Sequence, residues 1–248
     1  MSSLLWGSET LAKTVVQPVV EIVENVYAVP LGMVNAFILS TADGVTLIDT
    51  GTPGSAPKIL DAVRAIGKQP ADVHHILVTH LHADHTGGLA ALKHDTGAPA
   101  YMHPIDAALI RQGITQRKPI KAAPGLMPHL LAAVFSIVPL PKTEAATIEH
   151  EVHDGETLPI AGGIQVIQTP GHSAGQVAFL WPQHGGVLFA GDAAATRGGK
   201  LNLGMVFEDI PLAEQSARHL SDFQFEAACF GHGEAITHGA CKQFAMFR

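Results

Sequence analysis

The sequence predicts a layered α/β fold, with two β-sheets packed face to face and helices on their outer surfaces. Segments typical of strands and of helices alternate in both halves of the chain. Hydrophobic residues make up 47% of the 248 residues and charged residues 15%, which indicates a globular protein with a substantial core. We expect a single domain over residues 1–248, because no internal repeat or low-complexity linker divides the chain.

The predicted elements follow a regular order on both sides of residues 103–145. The turn Ala42-Asp43-Gly44 predicts a hairpin, and the amphipathic stretch 53–67 predicts a helix that ends at Gly67. A further helix is predicted from residue 87, another near 211–220 and one at the C-terminus. Apolar or alternating segments predict strands at 19–29, 34–40, 45–49, 73–79, 99–102, 164–169, 176–181, 186–190 and 226–230.

Residues 103–145 interrupt this order with one or two apolar helices. The apolar stretch 126–140 is shorter than a membrane span and contains two prolines. We therefore expect this helical insertion to form the wall or lid of a hydrophobic pocket, or to contact a second copy in a homodimer.

His80, His82, Asp84 and His85 form an H-x-H-x-D-H cluster directly after a predicted strand. Imidazole and carboxylate groups are the ligands that Zn²⁺ and similar cations prefer. Positions 80, 82 and 85 would not share one face of a helix, so we expect the cluster to lie on the turn before the next helix. On such a turn the side chains can converge on a metal ion.

Three further candidate ligands follow downstream, each at the end of a predicted strand. His172 follows a Pro-Gly turn, Asp192 follows a glycine, and His232 lies between two glycines. Glycine lets the backbone turn tightly and present the neighbouring side chain inward. Two metals that share one ligand need about this number of groups, so the sequence indicates a dinuclear centre.

Five motifs in chain order resemble the metallo-β-lactamase-fold hydrolase superfamily: LIDTG at 47–51, THLHADHTGG at 79–88, TPGHS at 169–173, GD at 191–192 and GHG at 231–233. The resemblance extends from about residue 20 to 235 and implies a four-layer αββα sandwich. It is specific for the fold and much less so for the substrate.

The resemblance also implies a role for each candidate residue. It assigns His80, His82 and His172 to one metal, Asp84, His85 and His232 to the other, and Asp192 to a bridge between them. Asp49 matches the family's carboxylate that orients a ligand imidazole. Homoserine-lactone lactonases carry a Tyr three residues after the bridging Asp, where this chain has Ala195.

We expect two Zn²⁺ ions as cofactors, and the same ligands also accept Fe, Mn or Co. Two dications lower the pKa of a shared water enough to supply hydroxide near neutral pH. The resemblance makes Asp84 the catalytic residue that accepts or relays the proton. The apolar insertion favours a small ester or lactone with a hydrophobic portion, and Arg197 and Lys200 are candidates to contact an anionic group.

Other functions stay open. A mononuclear-iron persulfide dioxygenase has a similar first motif, and a non-catalytic protein would bind metal without turnover. Phosphodiester hydrolysis has support only from a basic group in the insertion, formed by Arg111, Arg117, Lys118 and Lys121.

Composition limits the partners that we expect. The net charge of −7 disfavours nucleic acid as a partner, and we expect a small-molecule substrate. The N-terminus has no basic region followed by a long apolar run, so we expect no signal peptide, no membrane insertion and a cytoplasmic protein.

Overall fold

The computed structural model of the chain describes residues 19–137 and 143–248, and sixteen strands and seven α-helices lie within them. The predicted absence of a signal peptide and the end of the apolar stretch 126–140 lie outside the described residues. The strands are β1 Val20–Val23, β2 Val26–Pro30, β3 Asn35–Thr41, β4 Gly44–Ile48, β5 Val73–Leu77, β6 Ala100–Met102, β7 Lys121–Ala122, β8 His150–Glu151, β9 Thr157–Leu158, β10 Ile164–Gln168, β11 Val177–Trp181, β12 Val187–Phe189, β13 Ala195–Arg197, β14 Lys200–Asn202, β15 Val206–Phe207 and β16 Ala227–Cys229. The helices are α1 Ala56–Ala65, α2 Ala83–Thr86, α3 Leu89–Thr96, α4 Pro104–Ile110, α5 Leu126–Ile137, α6 Ile210–Leu220 and α7 Ala240–Phe244.

Two large sheets form the centre of the fold. The first has seven strands in the order β1-β2-β3-β4-β5-β6-β8, and the second has five in the order β16-β12-β11-β10-β9. The first sheet is antiparallel from β1 to β4 and parallel from β4 to β8. In the second sheet β12 and β16 are parallel, and the pairs β9–β10, β10–β11 and β11–β12 are antiparallel.

The two sheets pack against each other through one buried apolar cluster. Phe37 of β3 and Phe189 of β12 meet there with their ring centroids 5.7 Å apart, and Val166 and Phe179 of the second sheet belong to the same cluster. Each fully buried side chain of this size contributes about 1.5–3 kcal/mol relative to an exposed one. The interface between the sheets is therefore a principal source of stability.

Helices cover the outer face of each sheet. On the first sheet, α1 buries Ile59 and Val63, four residues apart on one helical face, in a cluster that also contains Leu92 of α3 and Ile110 of α4. On the second sheet, Leu220 of α6 and Phe244 of α7 lie in another buried cluster. The result is the four-layer αββα sandwich that the sequence predicted.

The insertion contains helices α4 and α5 and the short strand β7. Strand β7 pairs with β15, so the insertion is joined to the segment that precedes α6. Helix α5 leaves several apolar side chains in solvent, and Leu126 and Ile137 are 88% and 81% exposed.

Two local predictions need correction. The apolar stretch 19–29 is not one strand, because a turn at Glu24 and Asn25 divides it into β1 and β2, with Asn25 at φ 69°. The metal-ligand candidates also do not all lie on a turn: α2 begins at Ala83, so Asp84 and His85 are helical while His80 and His82 precede the helix. The four-residue helix escapes a periodicity argument because it spans only about one turn.

Candidate metal centre

The seven predicted ligands lie at one edge of the sandwich, where strands of both sheets end. His80 and His82 follow β5, His172 follows β10, Asp192 follows β12 and His232 follows β16. Strands β4 and β5 are parallel, so Asp49 at the end of β4 reaches the same edge. The structure therefore brings together residues that are up to 183 positions apart in the sequence.

Three histidines form the first cluster. His80 Nε2 lies 3.1 Å from His82 Nδ1, which in turn lies 2.8 Å from His172 Nε2. Their ligand atoms all fall within 4.8 Å of one another. Three imidazole nitrogens at this separation can surround one cation.

The second cluster joins Asp84, His85 and His232. Asp84 Oδ2 lies 3.3 Å from His232 Nε2 and 3.8 Å from His85 Nε2. The ligand atoms again fall within 4.8 Å of one another. Asp84 is the most accessible carboxylate of the site, with 37% of its side chain exposed, whereas His85 is fully buried.

Asp192 lies between the two clusters. Its Oδ2 is 3.3 Å from His172 Nε2 of the first cluster and 3.2 Å from His232 Nε2 of the second. Its Oδ1 is 3.5 Å from His85 Nε2. One carboxylate thus faces ligand candidates on both sides.

Hydrogen bonds outside the clusters set the tautomers of four imidazoles. His172 Nδ1 donates to the Val206 carbonyl at 2.8 Å, and His232 Nδ1 donates to the Met33 carbonyl at 2.7 Å. His85 Nδ1 donates to Asp49 at 2.9 Å. His80 Nδ1 lies 3.0 Å from the hydroxyl of Thr79, whose own proton is directed to Asp49. In each neutral ring the Nε2 lone pair therefore points into the site.

Asp49 is buried and holds two segments of the site. Its carboxylate accepts the Thr79 N–H at 2.8 Å and the Thr79 hydroxyl at 2.8 Å, in addition to His85. Its backbone has a φ of 60°, an uncommon conformation for a residue with a side chain. Local strain of this kind is typical of functional sites.

The residues fit a dication. Among the described residues, buried His85 Nε2 and Asp192 Oδ1 have no hydrogen-bond partner, and both point into the site. Burial without a partner costs a polar atom about 1–3 kcal/mol, which a coordinated cation would offset. Three carboxylates, those of Asp49, Asp84 and Asp192, also converge here and call for positive charge.

The pKa values of the histidines are shifted in opposite directions in the two clusters. Burial, with the neighbouring imidazoles, holds the pKa of His80 well below its usual range and lowers that of His82 to about 3. Burial also lowers the pKa of His172. These three rings are neutral, as ligands must be.

In the second cluster the neighbouring carboxylates raise the pKa values of the histidines. Asp192, with Asp84, raises the pKa of His232 to about 12 against the effect of burial. Burial lowers the pKa of His85, but Asp192, Asp84 and Asp49 together outweigh it and raise the value to about 9. Without metal, protons supply the positive charge that a dication would otherwise provide.

Comparison with known proteins places this site in a family. The family model described as "Metallo-beta-lactamase superfamily" matches residues 29–232, which includes all seven predicted ligands. The chain belongs to the metallo-β-lactamase superfamily. The superfamily is hydrolytic and metal-dependent, and its fold generally binds one or two divalent metals, usually zinc.

Three relatives illustrate the similarity. The uncharacterized protein YobT of Bacillus subtilis is 30% identical over 219 residues, which cover 82% of this chain and 84% of that protein. An N-acyl homoserine lactonase of Bacillus thuringiensis is 30% identical over 188 residues, 65% of this chain and 64% of the lactonase. A Cronobacter sakazakii metallo-β-lactamase with a HARLDQ motif superposes with a TM-score of 0.67 at 23% identity, covering 86% of this chain and 80% of that one.

Neither of the predicted substrate-contacting residues belongs to the two clusters of ligand candidates. Arg197 and Lys200 face each other across the β13–β14 hairpin that follows Asp192, and both side chains are exposed. Ala195 begins that hairpin. In the part of the chain that the structure describes, no helix has the length and apolar character needed to cross a membrane.

A groove of about 480 Å³ lies next to the segment that carries His232. It is lined by Met33, whose carbonyl accepts the His232 hydrogen bond, by Gly233, and by apolar side chains of the first sheet such as Ile22 and Phe37. The sequence does not reveal this groove, because its strand residues look like ordinary core residues and the rest of its lining lies in loops.

Proposed function

We propose that this chain is a dinuclear zinc hydrolase that opens small ester or lactone substrates with a hydrophobic portion. The observation that carries the proposal is the position of the Asp192 carboxylate, within 3.5 Å of ligand candidates in both histidine clusters. A site for a single metal would not need the second cluster. The 30% identity to an N-acyl homoserine lactonase supports lactones as the first class to test.

Each residue has a part in this proposal. His80, His82 and His172 would hold one zinc ion, Asp84, His85 and His232 the other, and Asp192 would bind both. When bound, two zinc ions supply hydroxide near neutral pH and stabilise negative charge on the oxygen of the attacked group. Asp84 accepts or relays the proton because its carboxylate is the exposed one. Asp49 keeps His85 oriented through its 2.9 Å hydrogen bond.

The hydrophobic portion of the substrate has two candidate binding surfaces. The insertion 103–145 remains our proposal for a wall or lid, supported by the contact of β7 with β15, whose Val206 holds His172. The groove beside His232 offers a second apolar surface of about 480 Å³. Arg197 and Lys200, on the hairpin after Asp192, are proposed to contact an anionic group.

Phosphodiester hydrolysis loses its support from the basic group of the insertion. Arg111 pairs with Glu151 at 2.7 Å, and Arg117 pairs with Asp106 at 2.7 Å. Lys121 pairs with Asp209 at 3.3 Å, and Lys118 donates to a backbone carbonyl. Since each cation has an internal partner, we do not favour this group as a phosphate-binding surface.

Elemental analysis and a hydrolysis screen test the proposal together. The purified protein should contain about two zinc ions per chain and should hydrolyse at least one lactone or ester in a panel that also contains thioesters, β-lactams and phosphodiesters. His85→Ala should abolish turnover, whereas His94→Ala, which changes an exposed histidine on α3, should leave it unchanged. One iron ion per chain without hydrolysis would contradict the proposal and favour the persulfide dioxygenase alternative.

A further inference from the structure

A buried carboxylate lies beneath the three-histidine cluster without contacting a ligand side chain. Asp106, in the first turn of α4, has 0% of its surface exposed. It accepts the Leu81 N–H at 2.9 Å and the Ser173 hydroxyl at 2.8 Å on Oδ2. On Oδ1 it accepts the Gly175 N–H at 3.0 Å and the Arg117 guanidinium at 2.7 Å. A carboxylate with this many donors is held in one orientation.

The donors belong to the two segments that carry the first cluster. Leu81 lies between His80 and His82, and Ser173 directly follows His172. Asp106 therefore joins the His80–His82 segment to the His172 segment through one side chain. Gly175 permits this approach, because a Cβ at that position would lie 2.6 Å from the Asp106 Cγ.

The positive charge of Arg117 balances the Asp106 carboxylate and also connects it to Glu208. Its guanidinium also lies 3.4 Å from Glu208, whose other oxygen accepts the Ala174 N–H at 2.9 Å. The Glu208 N–H donates to the His172 carbonyl at 3.2 Å. The insertion thus provides both Asp106 and Arg117, and together with Glu208 they fix the backbone from His172 to Gly175.

We propose that Asp106 is a positioning residue that sets the geometry of the three-histidine metal site. The inference rests on the proposed function, since it concerns one of the two metals of that site. The second cluster has different supports, namely Asp49 for His85 and the Met33 carbonyl for His232. Loss of Asp106 therefore lowers the affinity for the metal at the three-histidine site and leaves the affinity at the second site unchanged.

Asp106→Asn is the principal test variant. The NH₂ group of the amide cannot accept from the Leu81 N–H, nor from the Gly175 N–H and Arg117, so at least one of these hydrogen bonds is lost in either orientation of the amide. We expect about a 10- to 100-fold loss of zinc affinity at the three-histidine site, the range typical when a group that supports metal ligands is removed. Affinity at the second site should stay within about threefold of that of the unmodified chain.

A milder variant keeps the test decisive if Asp106→Asn does not fold. Ser173→Ala removes one donor to Asp106 and leaves the backbone hydrogen bonds of that segment in place. One hydrogen bond corresponds to about a 3- to 10-fold loss of affinity at the same site. Val63→Ala, which opens a cavity in the apolar cluster under α1 and removes no hydrogen bond of the site, is the control for a general loss of stability.

Metal affinity is the readout. Zinc competition against a chromophoric chelator resolves the two dissociation constants, and Co²⁺ absorption spectra assign them by comparison with His82→Ala and His232→Ala. Selective weakening of the three-histidine site in Asp106→Asn or Ser173→Ala, but not in Val63→Ala, supports the proposal. Unchanged affinities in both variants, or the same selective loss in Val63→Ala, would overturn it.

The two proposals fail in different ways. A chain that binds two zinc ions but hydrolyses none of the panel would contradict the proposed function, whereas the Asp106 comparison would still be measurable as affinity. Conversely, a chain with full turnover and no effect of Asp106→Asn on either metal would remove only the positioning role.

Discussion

Gly231→Ala is a small change with a large predicted effect on the metal centre. Gly231 does not have a positive φ, so alanine can adopt its backbone conformation. A Cβ at this position would lie 2.5 Å from His85 Cε1, and closer still to Asp192 Oδ1. Carbon atoms in ordinary contact are about 3.5 Å apart, so the ring must move by about 1 Å. The substitution therefore displaces two ligand side chains, those of His85 and Asp192.

The size of this shift predicts loss of metal. Ligand distances in protein metal sites are held to within about 0.2 Å, and the required shift is several times larger. We expect zinc affinity at the site of His85 and Asp192 to fall at least about 100-fold, equivalent to about 2.7 kcal/mol. Turnover should fall in parallel, because Asp192 faces both clusters.

The assay compares Gly231→Ala with Gly204→Ala. A Cβ at Gly204 would lie 3.7 Å from Phe207 and 4.0 Å from the Asp192 carbonyl, which are ordinary contacts. Both variants are dialysed against a chelator, reloaded with zinc and measured for metal content, turnover and circular dichroism. Gly204→Ala should behave like the unmodified chain. Two zinc ions bound to Gly231→Ala with unchanged affinity would refute the reasoning about Asp192 and His85.

Three further predictions concern protons, stability and substrate charge. First, metal binding should release at least two protons per chain near neutral pH, because the pKa values of His85 and His232 are raised to about 9 and 12 and both rings must deprotonate to bind. Formation of hydroxide at the site adds to this number, and metal affinity rises with pH. Calorimetry in buffers of different ionisation enthalpy measures this release, and no release would contradict it. Second, partial burial raises the pKa of Glu149, but the Ala100 N–H, Lys93 and Thr147 outweigh it and lower the value to about 2. The ionised carboxylate therefore stabilises the fold above about pH 4.3, and this contribution is lost as the pH falls towards 2. Urea unfolding at pH 6 and pH 3 should show a smaller pH dependence in Glu149→Gln than in the unmodified chain, and an unchanged pH dependence would contradict this stabilising role of the Glu149 carboxylate. Third, Arg197→Ala and Lys200→Ala should raise KM for anionic esters and leave kcat, and KM for neutral esters, unchanged; equal effects on both substrates would exclude a charge contact.

The layers of the fold and the residues that converge at the candidate metal centre could be predicted from the sequence. Alternation of strand and helix signals suggested two sheets with helices outside, and the resemblance in five motifs implied the four-layer order. Glycine beside a strand end marked His172, Asp192 and His232 as residues that could converge. The turn at Asn25 was missed, because apolar residues on both sides make the two strands look continuous. Hydrophobic patterning does not show where such a strand turns.

The hydrogen bonds that orient the ligand side chains could not be predicted, because the groups that accept them are distant in the sequence or belong to the backbone. His172 is oriented by the carbonyl of Val206, and His232 by that of Met33, 199 positions away. Every residue has a backbone carbonyl group, so the residue type does not show which carbonyl accepts a hydrogen bond from a histidine. Asp106 likewise reads as an ordinary acidic residue near the start of a helix, and its partners lie 11 to 69 positions away.

The most direct test of the central claim is turnover measured during titration of the metal-free chain with zinc. A dinuclear hydrolase predicts that activity is absent without metal, increases with added zinc and stops increasing at two equivalents per chain. Full activity at one equivalent, or hydrolysis by the metal-free chain, would contradict a mechanism that needs both clusters around Asp192.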